Sequence, residues 1–257
     1  MVERCDVLAV GAHPDDVEIG CAGTLARLAA RGARVGIVDL SAGELGTRGD
    51  VARRRREAQA AAGVLGAAWR TCLGLPDGGV CATDPAQLET VVGALRAASP
   101  RAVLLPHPED PHPDHGATAR LLLRAFVFAN LARFRPELGA PHRVCLALAY
   151  PGPRQLIEPA LVVDISPHAA IKRKALAAHA SQFDPGAGAP THLASGHFAD
   201  AIEGRDRACG NLVGCELGEG FAGFGAVSAD EVAWLLGGGG EQPAPRSAGH
   251  RAGGKGR

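Results

Sequence analysis

A chain of 257 residues, 46% of them hydrophobic, can bury most of its apolar surface without staples, as one domain with at most a small appendage. Its 27 basic and 27 acidic residues cancel, so no global field points to nucleic acid or to a charged membrane. Seven cysteines form no Cys-x-x-Cys pair, no apolar run reaches the ~18 residues of a membrane span, and the N-terminus lacks the layout of a signal peptide; a disulfide scaffold is excluded, and a soluble, reduced, cytoplasmic protein is expected.

Residues 6–10, Asp-Val-Leu-Ala-Val, predict a short buried strand, and a helical pattern runs from about 20 to 31. Between them lies His13-Pro14-Asp15-Asp16, a tight loop from a strand's C-terminal end to a helix N-terminus, where open α/β sheets bind ligands. Two readings compete there: the carboxylates cap the helix's free N–H groups, or the three side chains serve as metal ligands and general base. A second strand is predicted over 33–40, then a polar, Gly-rich rim loop over 41–50 and a charged helix over 51–65 closed by Gly66. The run Arg53-Arg54-Arg55-Arg56 cannot all face one way, because successive helical residues turn by about 100°. A third strand near 69–73 leads into the turn Leu75-Pro76-Asp77-Gly78-Gly79. A helix over 86–97 follows, capped by Thr83 or Asp84 with Pro85 in its first turn, and then a fourth strand over 101–106. This alternation predicts an α/β fold with a Rossmann-like, doubly wound, mostly parallel sheet.

The fourth strand delivers a second cluster, His107-Pro-Glu-Asp-Pro-His112-Pro-Asp114-His115, ahead of a helix over 117–130. In the common doubly wound order strands one and four are neighbours, so topology alone brings the two polar loops together at the switch point. That coincidence favours chemistry over capping and places the site at the C-terminal ends of strands 1 and 4. Further strands are predicted over 143–150 and 160–165, with a helix after Ser166-Pro167 and a long Gly/Pro-rich loop over 179–197. A helix over 197–213 carries Glu203, Arg205 and Asp206; Glu219-Gly220-Phe221 and a poorly patterned segment follow. From Gly237 onward no core-forming residues remain, so the expected organisation is a domain over 1–236 and a disordered tail over 237–257.

His13 and Asp16, three apart around a turn, can face one point, and His115 can close the triangle from the opposite loop. Two imidazoles and one carboxylate, with a position left open, suit a hydrolytic Zn2+ site; the same trio also suits Fe2+. Asp15, beside a ligand but pointing elsewhere, is the expected base. In the pair His112-x-Asp114 the carboxylate can hold the imidazole protonated as a partner for an oxyanion. The first loop lacks a G-x-G-x-x-G pattern, and the chain has no P-loop and no G-x-S-x-G elbow, which disfavours dinucleotide, NTPase and serine-hydrolase roles.

Gly11-Ala-His-Pro-Asp-Asp16 with His112-Pro-Asp-His115 resembles the LmbE-like, or PIG-L, superfamily of zinc-dependent N-deacetylases, which remove acetyl from N-acetylglucosaminyl groups. The likeness extends to about Phe221. The stretches V-D-L-S-A-G-E-L-G-T-R-G, A-L-A-A-H-A-S-Q-F, E-G-R-D and G-E-G-F are similar to the branch that deacetylates N-acetylglucosaminyl-malate in bacillithiol biosynthesis. The resemblance implies metal ligands at His13, Asp16 and His115, a base at Asp15 and oxyanion help from His112 backed by Asp114. It also implies substrate contact from Arg54, a small amino-sugar substrate and a homo-oligomer. Arg48 and Arg205 join Arg54 as candidates for the two carboxylates of a malate. Two departures stand out: Ser195-Gly196-His197 where relatives tend to carry Asn-Gly-Tyr, which puts the His197 imidazole in place of a phenol, and Pro111 where an Arg often stands. The alternatives are a related deacetylase or thiol-conjugate amidase acting on another N-acetylglucosaminide, and a non-catalytic sugar-binding member, against which the intact Asp15 argues.

Overall fold

In the computed structural model residues 1–237 are described, and the tail expected to be disordered lies outside them except for Gly237. The described strands are β1 (Val7–Gly11), β2 (Val35–Asp39), β3 (Trp69–Cys72), β4 (Ala102–Pro106), β5 (Leu146–Tyr150), β6 (Leu161–Asp164) and β7 (Gly218–Gly223). They form one sheet in the order β3-β2-β1-β4-β5-β7-β6. The first five are parallel, and β7 runs antiparallel to both β5 and β6. This is the doubly wound, mostly parallel α/β sheet read from the sequence. β1 and β4 lie side by side, Val7 opposite Ala102 and Ala9 opposite Leu104, so their C-terminal ends open on the switch point.

Every residue of β1, β2 and β4 is buried, because helices cover both faces. The two-residue period of the strands divides the core. Val7, Ala9, Ile37 and Leu104 pack with α1 (Asp16–Ala30), α2 (Val51–Leu65) and α5 (Ala169–Ala178). Leu8, Val10, Val38, Val103 and Leu105 pack with α3 (Pro85–Ala98) and α4 (Pro113–Ala129). Tyr150, at the end of β5, lies flat where a Cβ on Gly20 would be 2.1 Å from its ring, and its hydroxyl donates to Val10 O. No described helix is long and apolar enough to cross a membrane.

The structure adds elements that the reading left out. A short α6 (Ala180–Phe183) lies inside the stretch expected to be loop, which shortens that loop to 184–197 ahead of α7 (Phe198–Val213). β7 holds Glu219-Gly220-Phe221, and α8 (Ala229–Leu236) lies in the poorly patterned segment after it; α8 docks through buried Leu235, and the Arg101 guanidinium stacks 4.4 Å over the Trp234 ring. α1 begins at Asp16 rather than near Gly20 and is broken at Cys21 (φ −148°, ψ 18°). The carboxylate of Glu219, from β7, fills the break by accepting the N–H groups of Gly23 (2.9 Å) and Thr24 (2.7 Å). An anion suits these free donors at the start of the second helical piece.

Candidate active site and metal centre

The first loop is held in an unusual shape by its own residues. Gly11 permits a close turn, since a Cβ there would stand 2.9 Å from His13 O. Asp15 has φ 119°, a left-handed conformation costly for a residue with a side chain and typical of strained functional positions. Its side chain makes no cap bond, so the helix-capping reading fails for Asp15. Asp16 instead points back, its Oδ2 accepting the His13 N–H at 2.9 Å. On the other side α4 starts at Pro113, not at 117 as expected. The His112 side chain is its N-cap, with Nδ1 accepting the Asp114 N–H at 3.3 Å. Asp114 and His115 therefore ride on a helix's first turn. Pro113 at the first helical position was the signal for this start.

The two loops meet as topology requires. The His13 and His115 ring centroids are 5.5 Å apart, and His112 stacks on His115 at 4.6 Å. Asp16 Oδ1 lies 3.1 Å from His115 Nε2, and its Oδ2 lies 3.6 Å from His13 Nδ1. The predicted His13, Asp16 and His115 are thus brought together, all buried. Asp114, however, does not back His112. Its Oδ2 sits 3.1 Å from His13 Nε2 and accepts the Gly78 N–H at 2.8 Å. The His112 Nδ1 is engaged as an acceptor, and burial followed by the neighbouring His115 and His13 holds the His112 pKa below the ordinary value, which disfavours the expected cation.

Neighbouring carboxylates are pushed in opposite directions. Burial lifts Asp15 up to about 6, against the pull of the Arg54 guanidinium 3.6 Å away. Asp16 is held well below the carboxylate range, because His115 and His13 outweigh its burial. Burial opposes the imidazolium of both His13 and His115, yet hydrogen bonds to Asp114 and Asp16 raise His13 to about 11, and Asp16 and Asp110 raise His115 to about 10.

The side chains expected from sequence to contact substrate lie in different surroundings. Arg54 reaches the site but clamps it: Nη1 donates to Gly43 O (2.8 Å) and Nη2 to Pro14 O (2.9 Å), tying the rim loop to the first motif. Arg48 is buried, donates Nη2 to Asp184 O at 2.6 Å, and leaves Nε and Nη1 without a partner among the described residues. Arg205 is corrected. Its guanidinium donates to Pro151 O, Gly152 O and Ile19 O, a buried strut between β5 and α1 rather than a rim contact. His197 is exposed at the start of α7, and no hydrogen bond or ion pair among the described residues joins it to the cluster. Two residues were missed. Asp77 Oδ1 lies 3.0 Å from His13 Nε2 while its Oδ2 accepts the Leu45 N–H at 2.8 Å, and Asp110 Oδ2 lies 3.2 Å from His115 Nδ1. Both sit in turns, where Asp is expected for local reasons alone.

The profile of the family described as PIG-L, GlcNAc-PI de-N-acetylase, matches residues 8–126, which span both motifs. Over 191 residues the chain is 34% identical to the diacetylchitobiose deacetylase of Thermococcus kodakarensis, covering 69% of this chain and 70% of that protein. The chain belongs to the PIG-L family. It is 29% identical over 243 residues to the 1D-myo-inositol 2-acetamido-2-deoxy-alpha-D-glucopyranoside deacetylase of Streptomyces avermitilis, covering 69% of this chain and 83% of that one. A conserved protein of Thermus thermophilus has the same fold, with TM-score 0.79 and 36% identity over 87% of this chain and 96% of its own. This PIG-L chain is accordingly an amide hydrolase, a deacetylase.

PIG-L deacetylases are generally metal-dependent, and the donors present fit a divalent ion. Ring nitrogens of His13, His112 and His115 lie within 4.8 Å of one another, as do ligand atoms of His13, Asp77 and Asp114. Nitrogen and carboxylate donors of this kind suit Zn2+ or Fe2+. The raised imidazoles of His13 and His115, crowded by carboxylates, mark a place that calls for positive charge, which a metal supplies on displacing their protons.

Proposed function

We propose that this PIG-L chain is a zinc-dependent deacetylase of N-acetylglucosaminyl conjugates, with N-acetylglucosaminyl-malate as its substrate and His13, Asp16 and His115 as its metal ligands. The observation that carries the hydrolytic reading is the split between Asp15 and Asp16, one carboxylate poised near neutrality and its neighbour fixed as an anion between two imidazoles. Groups pushed apart in this way divide the roles of base and ligand. A bound divalent ion polarises an amide carbonyl and acidifies a water. Asp15 takes the proton of the attacking water and returns it to the leaving amine, a task for which a pKa of about 6 is suited. His112, with Nδ1 occupied, carries its proton on Nε2 and donates it as a neutral hydrogen bond to the tetrahedral oxyanion. Fe2+ is the alternative metal.

The malate reading rests on the family likeness and on Arg48. A buried guanidinium with two donor nitrogens unpartnered among the described residues calls for an anionic oxygen, and Arg–carboxylate pairs are bidentate and charge-assisted. Acetate release over N-acetylglucosaminyl-malate, its inositol counterpart, diacetylchitobiose and plain N-acetylglucosamine tests the assignment. The malate conjugate should give the highest kcat/KM. Arg48→Ala should lower that value by ~10–100-fold, the ~1.5–3 kcal/mol of a charged hydrogen bond, and should leave plain N-acetylglucosamine nearly unchanged. A wild type that prefers an uncharged aglycone removes malate as the substrate and keeps the deacetylase.

A further inference from the structure

His115 is buried with its two ring nitrogens facing different carboxylates. Nε2 lies 3.1 Å from Asp16 Oδ1, and Nδ1 lies 3.2 Å from Asp110 Oδ2. Among the described residues neither His115 Nδ1 nor Asp110 Oδ2 has a hydrogen-bond partner, and both atoms are closed off from solvent, which leaves each facing the other at 3.2 Å. The rest of Asp110 is fixed. Its Oδ1 accepts the His112 N–H at 2.8 Å, and its own N–H donates to His107 O at 3.1 Å. Oδ2 is therefore the acceptor left over, turned to the imidazole.

The chain after β5 closes over this carboxylate from behind. A Cβ at Gly152 would stand 1.8 Å from Asp110 Oδ2, so the approach requires glycine. Arg205 holds that segment in place through Pro151 O (3.2 Å) and Gly152 O (3.0 Å). The buried strut that sequence reasoning assigned to substrate thus ends on the back of the metal cluster.

We infer that Asp110 is a positioning residue for His115: Oδ2 accepts the Nδ1–H, which fixes the lone pair on Nε2 for the metal, and the Arg205–Gly152 segment keeps the carboxylate against the ring. A neutral imidazole has one N–H and one lone pair, so the partner of one nitrogen decides what the other can do. Carboxylates behind metal-ligating histidines act in this way. The inference rests on the proposed metal ligands.

Asp110→Asn tests it with little change in shape. The amide keeps an oxygen for the His112 N–H but turns its NH2 toward Nδ1, which then holds the lone pair and sends the ring proton to Nε2. Zn2+ affinity of the metal-stripped protein, read by competition with a chromophoric chelator, should fall by ~10–100-fold. Long-range 1H–15N NMR of the zinc-loaded wild type should show His115 protonated at Nδ1, a signature weakened in the variant. Gly152→Ala, which displaces the carboxylate without removing it, should lose zinc affinity likewise, and it decides the matter if Asp110→Asn does not fold. Wild-type affinity and an unchanged Nδ1–H in Asp110→Asn, or wild-type affinity in Gly152→Ala, would overturn the inference. His115→Ala separates the two levels. If it binds zinc as well as wild type, the ligand assignment and the inference both fall; if it loses zinc while Asp110→Asn does not, only the role of Asp110 falls.

Discussion

Asp15 and Asp16 are adjacent in sequence, yet the first-turn geometry of α1 sends one toward Arg54 and the other between His13 and His115. If Asp15 is the base and Asp16 a ligand, Asp15→Asn keeps bound metal and loses turnover by ~10²–10⁴-fold. Asp16→Asn loses metal affinity instead. Elemental analysis beside the acetate assay reads both, and the reverse pattern would exchange the two roles. Arg54 bears on the same chemistry through charge. After burial, which raises Asp15, its guanidinium is the largest influence on that carboxyl and holds it down. Removing it in Arg54→Met raises the pKa of Asp15. A base works deprotonated, so the acid limb of the kcat/KM profile should move to higher pH. An unmoved limb would leave Arg54 as a clamp on the rim loop alone.

α1 is the element on which the site depends, and its break at Cys21 is what β7 stabilises. Glu219 accepts two helix N–H groups and the Lys172 ammonium at 2.8 Å, all buried. Glu219→Ala leaves two donors unpaired and Lys172 with Asp206 as its remaining carboxylate, 2.6 Å away. Breaking such a buried pair costs ~3–5 kcal/mol, to be read as a fall in the urea midpoint of unfolding. A loss under ~1 kcal/mol would show that the break needs no anion. The same element explains why sequence reading stopped where it did. The parallel strands and α2 and α3 were legible because their signals are local: apolar runs, Asp50 capping Arg53 N–H, and Asp84 capping Ala86 and Gln87. β7 was not. Its glycines and a buried Glu break the two-residue alternation, and the partner of that Glu, Lys172, lies 47 residues away. Asp77 and Asp110 were hidden for the same reason. Each sits in a turn that justifies an Asp locally, and the imidazole it faces comes from another loop or another turn of the chain. The His112–Asp114 pairing misled in the opposite sense, because a helix start between the two turned Asp114 toward His13.

At the scale of the molecule, the order β3-β2-β1-β4-β5 converts two motifs about a hundred residues apart into one cluster, since His13 follows β1 and His115 follows its neighbour β4. The candidate metal centre was legible from that topology before any side chain was placed. The aglycone subsite was not, because Arg48, Arg54 and Arg205 differ in what they bond to rather than in where they stand in the sequence. The central proposal joins family, fold and cluster: we propose that this PIG-L deacetylase works through a divalent ion held at His13, Asp16 and His115. Acetate release from an N-acetylglucosaminyl conjugate by protein stripped with a chelator, then reloaded with one equivalent of Zn2+, tests it most directly. Stripping should abolish turnover and Zn2+ should restore it in the wild type but not in His13→Ala or His115→Ala. Full turnover by the stripped protein, or equal restoration in both variants, would contradict it.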